Sequence, residues 1–157
     1  MNLNVRLLAF LLDLLENYRR DIFIKMRKDG HPIEQILAFI DGYTGIYSTC
    51  HIAIKDPEYN GECLFLDTIV FEDYNDIMNT YDIIINKVRE DKHRYIGWEM
   101  LGAKYALCLI KFYIEFVLYG NDTEVCDFYL TIPDKNNPNS YHWDECGWDY
   151  DFFNDDI

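Results

Sequence analysis

The chain has 157 residues and a mass of 18.8 kDa, which favours a single domain with a hydrophobic core of ordinary size. Half of its residues are hydrophobic and 17% are aromatic, so the composition excludes a wholly disordered chain. Acidic residues outnumber basic residues 28 to 14, which gives a net charge of −14. This balance weighs against a conventional nucleic-acid-binding or anionic-membrane-binding protein, because both need a basic surface.

The first residues of the sequence do not have the pattern of a secretory signal peptide, so export is not predicted. The apolar run from Leu7 to Leu12 is short and is interrupted by Asp13, and no small-residue cleavage site follows it. No stretch approaches the roughly 18 apolar residues of a membrane span. The five cysteines are odd in number and widely spaced, which favours reduced thiols over a disulfide scaffold. We therefore expect a cytoplasmic protein that does not bind membranes.

Two helices are predicted in the first part of the chain. Leucine and isoleucine recur at helical spacing through residues 3–28, and Asp29-Gly30 is expected to end this helix. Pro32 suits the first turn of a second, shorter helix that runs to Ile40. Asp41-Gly42 is expected to stop the second helix.

The stretch 43–72 fits both helical and strand periodicity, and its richness in isoleucine, threonine and tyrosine favours a hairpin. Residues 63–71 are predicted to form a buried strand, and residues 125–132 a second strand that Pro133 ends. Together these segments would form a small antiparallel sheet.

Helical spacing returns at residues 74–90 and is clearest at 95–119, a segment that is apolar nearly all round. Such a helix belongs in the middle of a fold, and we expect it to pack against the helix at 3–28. The sequence therefore predicts a predominantly helical α+β fold, with all-α as the alternative. One domain is expected at residues 1–132, followed by an acidic, aromatic tail at 133–157.

Acidic residues concentrate in two stretches. Residues 55–82 hold eight acids against Lys55, a net charge of −7, and residues 113–157 hold eleven acids against Lys135, a net charge of −10. The tail also contains tryptophan, tyrosine and phenylalanine, which are enriched at protein interfaces. A solvated acidic face is the alternative to a docking surface. The docking surface is predicted to consist of Glu72, Asp73, Asp76, Asp127, Asp144, Glu145, Trp148, Asp149, Tyr150, Asp151, Asp155 and Asp156.

Motifs that would indicate catalysis are missing from the sequence, which contains neither a phosphate-binding glycine loop nor a metalloprotease or serine-hydrolase signature. His142 and Cys146 are too few for a structural zinc site without more distant partners, so we expect no metal and no cofactor. His31 and His93 are interpreted as ordinary surface histidines.

These patterns predict a non-catalytic inhibitor that docks on the basic surface of a nuclease or another nucleic-acid-binding protein and mimics phosphate charge. Phage-encoded anti-CRISPR proteins are comparable in size and charge alone. An immunity protein or antitoxin that acts by shape complementarity is the second reading, and a small enzyme without a recognisable motif is the third. The partner is expected to be a basic protein, and direct binding of nucleic acid is not expected.

Overall fold

The computed structural model describes residues 5–54, 74–119 and 131–141, and describes side chains within 11–50, 81–112 and 131–141. In these ranges no strand is present, and the only bridge is an isolated antiparallel one between Asp134 and Asn137. A short 3-10 helix, Lys92–Arg94, precedes the last α-helix. The α-helices are α1 (Val5–Lys28), α2 (Ile33–Ile54), α3 (Tyr74–Glu90) and α4 (Trp98–Tyr119).

The described part of the chain is all-α, so the expected small antiparallel sheet is wrong and the all-α alternative fits. Helix α2 continues without a break through residues 43–54, where the sequence favours a hairpin. The strand expected at 63–71 and most of the strand expected at 125–132 lie outside the described residues. Residues 131–132, at the end of the second expected strand, are not in a strand.

Gly42 does not end α2, contrary to the expectation, because it lies where α2 and α4 meet. A Cβ atom on Gly42 would overlap the carbonyl oxygen of Glu99, and one on Gly102 would overlap the carbonyl oxygen of Phe39. Glycine at both positions therefore lets the two helix backbones touch. The close packing offsets the roughly 1 kcal/mol that glycine costs in a helix interior relative to alanine.

The core is organised around α2, which packs extensively against both α4 and α1. Helices α1 and α4 contact each other only slightly, so the expectation that these two form the centre by packing on each other is wrong. The expected burial of their apolar faces is confirmed, since Leu11 on α1 and Phe112 on α4 are both buried. In α4, every residue from Leu101 to Ile110 is buried.

Three aromatic side chains tie α1, α2 and α4 together. The Tyr43 hydroxyl donates a 2.6 Å hydrogen bond to the backbone carbonyl of Leu15 in α1. The ring of Tyr105 in α4 lies 5.6 Å from Phe39 and 6.2 Å from Tyr43, between ring centroids. Burial raises the pKa of the Tyr43 hydroxyl well above its ordinary value, so this group stays a neutral donor.

Lys104 lies within the apolar run of α4 and is only 4% exposed, although lysine is almost always found at the surface. Its ammonium donates to the hydroxyl oxygen of Tyr141 at 3.5 Å and lies 5.7 Å from the centre of the Tyr141 ring. An ammonium in this setting is stabilised by the aromatic face as well as by the hydroxyl oxygen. Residues 131–141 are thereby held against α4.

Candidate functional site at the α1–α2 corner

Helix α1 ends in a Schellman motif that positions His31. The amide of Gly30 donates to the carbonyl of Arg27 at 3.1 Å, and the amide of His31 donates to the carbonyl of Met26 at 3.0 Å. Gly30 has a φ of 82°, a left-handed conformation that glycine adopts without strain. The residue that follows such a glycine folds back onto the helix, and His31 is only 8% exposed.

Hydrogen bonds fix both the orientation and the tautomer of the His31 ring. The Gln35 side-chain nitrogen donates to the backbone carbonyl of Lys135 at 3.0 Å, so the amide oxygen of Gln35 faces His31. That oxygen lies 3.0 Å from Nδ1 of His31, which must therefore carry the proton. In the neutral ring, Nε2 is then the acceptor. The indole of Trp98 packs against the His31 ring with an interplanar angle of 81°.

A turn at residues 133–140 faces this corner and is closed by its own hydrogen bonds. The amide of Asn137 donates to the carbonyl of Asp134 at 3.0 Å, and the amide of Asp134 donates to the Ser140 hydroxyl at 2.7 Å. Pro133 is buried, and Ile132 packs against the hydrophobic core. The turn is thus a defined wall opposite the end of α1.

A cavity of about 300 Å³ lies between the end of α1 and this turn. The ammonium of Lys135 lies beside Gly30, 3.3 Å from the position that a Cβ atom would take there. This placement suits the partial negative charge at the carboxyl end of α1. The residues that line the cavity are Asp29, His31, Ile132, Pro133, Asp134, Lys135, Asn136 and Asn137.

The interpretation of His31 as an ordinary surface residue is wrong, whereas His93 is exposed as expected. The signal that identifies His31 is its place after the Asp29-Gly30 helix stop, where a Schellman motif brings the next residue back onto the helix. No sequence pattern places residues 132–137 opposite this corner, because that contact joins segments about a hundred residues apart.

The described residues that line this corner include none of the predicted partner-binding residues. Asp76 lies on α3, but its side chain is outside the described residues. The other eleven lie outside the described residues altogether. They belong to residues 55–73, 120–130 and 142–157, the acidic segments.

The net charge resides entirely in the acidic segments. The described residues contain thirteen of the 28 acids and thirteen of the 14 bases, so their net charge is zero. Fifteen acids and one base, Lys55, remain in the acidic segments and account for the −14. The described part of the chain is therefore electrically balanced.

No group of three or more His, Cys, Asp or Glu side chains among the described residues could hold a metal ion. In the same part of the chain, none of the helices combines the length and apolar content that crossing a bilayer requires. The candidate zinc ligands His142 and Cys146 lie outside the described residues. No protein-family model, no curated protein and no solved structure matches the chain.

Proposed function

We propose that the protein is a non-catalytic inhibitor that docks through its acidic segments on a basic, nucleic-acid-binding surface of a partner protein. The observation that supports this is the distribution of charge along the sequence: residues 55–73, 120–130 and 142–157 account for the whole net charge of −14. Charge that only improves solubility has no need to be concentrated in this way. A concentrated negative charge raises the rate of encounter with a positively charged cleft.

The partner proposed is a nuclease or another protein whose cleft is built to attract phosphate. Carboxylates in such a cleft would compete with the nucleic-acid backbone, since the affinity of the cleft for nucleic acid comes largely from phosphate contacts. Phage-encoded inhibitors of bacterial defence nucleases, among them anti-CRISPR proteins, are one setting for this mode of action. Because Cys50 and Cys108 are free thiols in the core, we place this action in the cytoplasm.

Specificity requires an apolar anchor in addition to charge, and Trp148 and Tyr150 are the proposed anchors. Tryptophan and tyrosine are over-represented among residues that dominate binding energy. Their acidic neighbours, Asp149 and Asp151, would guide the approach, while the rings would slow the departure.

The test is affinity capture with the full-length protein, followed by purification of the captured partner. We expect a basic nucleic-acid-binding protein in stoichiometric complex, whose activity is blocked and which duplex DNA or RNA displaces from the inhibitor. Deletion of residues 142–157 should weaken the complex, while circular dichroism should still show a folded, helical protein. A partner with no basic cleft, or a complex that nucleic acid does not displace, would overturn the proposal.

A further inference from the structure

We propose that the cavity at the α1–α2 corner binds a small molecule that carries a protonated primary amine on a short alkyl chain. This proposal does not depend on the docking function, because none of the residues that line the cavity belongs to the acidic segments.

The cavity walls carry carboxylates that have no partner among the described residues. The carboxylates of Asp29 and Asp134 make no hydrogen bond or ion pair within the part of the chain that the structure describes. The ring of His31, whose Nδ1 is hydrogen-bonded to Gln35, lines the same cavity. An ammonium group only donates hydrogen bonds, and an ionised carboxylate only accepts them, so the two are matched in type.

The charge of the cavity also favours a cation. Two carboxylates and one ammonium, that of Lys135, line it, so the carboxylates outnumber the ammonium groups. The Lys135 ammonium lies beside Gly30 at the end of α1, where the helix carbonyls already attract it. It forms no ion pair with Asp29 or Asp134 within the described residues.

The size and the apolar wall of the cavity define the rest of the ligand. A volume of about 300 Å³ lies at the lower end of the range for small-molecule sites, roughly 300–1,000 Å³. Ile132 and Pro133 provide an apolar wall for a few methylene groups. His31 is only 8% exposed, and its ring is held by Gln35 and Trp98, so this part of the cavity wall is fixed before a ligand arrives.

The test is a titration of the full-length ¹⁵N-labelled protein with n-butylamine hydrochloride, followed by NMR. The matched probes are 1-butanol, which has the same alkyl chain without the charge, and sodium butyrate, which has the opposite charge. We expect saturable shifts of the amides of residues 29–31 and 134–137 with butylamine alone. Equal shifts with butanol, shifts with butyrate alone, or no saturable shift with butylamine would each overturn the proposal.

A pair of variants tests the carboxylates themselves. Asp29→Asn with Asp134→Asn should weaken butylamine binding roughly tenfold, since each change removes a charge-assisted hydrogen bond. The matched control is Asp13→Asn with Asp21→Asn, two exposed acids of α1 that do not line the cavity. The control should bind butylamine as the wild type does. Equal affinity in both double variants, with unchanged thermal unfolding midpoints, would contradict the assignment.

Discussion

Gly102 is a residue at which a single added methyl group is expected to be damaging. Its missing side chain lets α4 touch the backbone of α2 at Phe39, and backbone cannot move aside as a flexible side chain can. Gly102→Ala should therefore lower the free energy of unfolding by about 3 kcal/mol or more, the upper part of the range for overpacking. Urea denaturation followed by circular dichroism measures this loss.

Gly97 is the matched control for that substitution. A Cβ atom at Gly97 would meet no atom within 4 Å, but its φ of 58° is left-handed. Gly97→Ala should cost only the roughly 1–2 kcal/mol of that conformation. If Gly102→Ala is as mild as Gly97→Ala, the close approach of α2 and α4 is wrong.

Cys50 is expected to be chemically inert in the folded protein. Burial raises the pKa of its thiol from 9.0 to about 12, and the reactive thiolate is correspondingly scarce. Alkylation by iodoacetamide at mildly alkaline pH, mapped by peptide mass spectrometry, should be at least about a hundredfold slower in the native protein than in urea. Native alkylation of Cys50 at the unfolded rate would show that this part of α2 is accessible.

The same burial predicts a loss of stability in alkali. The folded protein keeps the Cys50 proton to a higher pH than the unfolded chain does. The contribution of this thiol is therefore complete below its unfolded pKa of 9.0 and is lost as the pH rises towards about 12. The free energy of unfolding should fall across that interval, and a Cys50→Ala variant should lose the part of the slope that this thiol provides.

At the level of whole helices, the stability of the fold depends on burial of α4. Phe112→Ala should lower the free energy of unfolding by about 3–5 kcal/mol, because Phe112 is 6% exposed and its truncation leaves a cavity. Leu37→Ala on α2 is the control, since Leu37 is 59% exposed and should cost less than about 0.5 kcal/mol. Comparable losses from the two substitutions in urea denaturation would contradict the helix packing.

Periodicity predicted α1, α3 and α4 well but misread α2. The three helices have apolar residues at helical spacing and clear stops, whereas residues 43–54 mix β-branched and aromatic residues that also suit a strand. The Asp41-Gly42 pair is also typical of a turn. What overrides it is a contact with α4, and tertiary contacts of this kind are not visible in local sequence.

The corner cavity shows the same limit at the level of the site. The end of α1 at Asp29-Gly30 could be predicted, and so could a turn at the Asn136–Ser140 stretch. Their juxtaposition could not, because it depends on a hydrogen bond from Gln35 to the backbone of Lys135. The burial of His31 follows from that juxtaposition and from the packing of Trp98.

For the molecule as a whole, the distribution of charge predicts which acids matter for docking. Neutralising Asp149, Asp151, Asp155 and Asp156 to asparagine should slow association with the captured partner, because it removes charge that steers the encounter. Neutralising four exposed acids of α1 and α2 should leave the association rate nearly unchanged. This control set consists of Asp13, Asp21, Glu34 and Asp41. Surface plasmon resonance measures both rates, and equal slowing would assign the effect to total charge alone.

The proposed anchor is tested separately from the charge. Trp148→Ala should mainly speed dissociation of the complex and leave association almost unchanged, since a buried ring contributes after the encounter. If the dissociation rate is unaffected by Trp148→Ala and by Tyr150→Ala, neither ring is the anchor.

The central claim is that the acidic segments occupy a cleft made for nucleic acid, and competition on the purified partner tests it most directly. The apparent dissociation constant of the inhibitor should rise linearly with the concentration of added duplex DNA or RNA, because the two would bind the cleft in a mutually exclusive way. It should also rise steeply between about 50 and 200 mM salt, because ionic screening weakens the contact. A dissociation constant that is independent of both nucleic acid and salt would contradict the account.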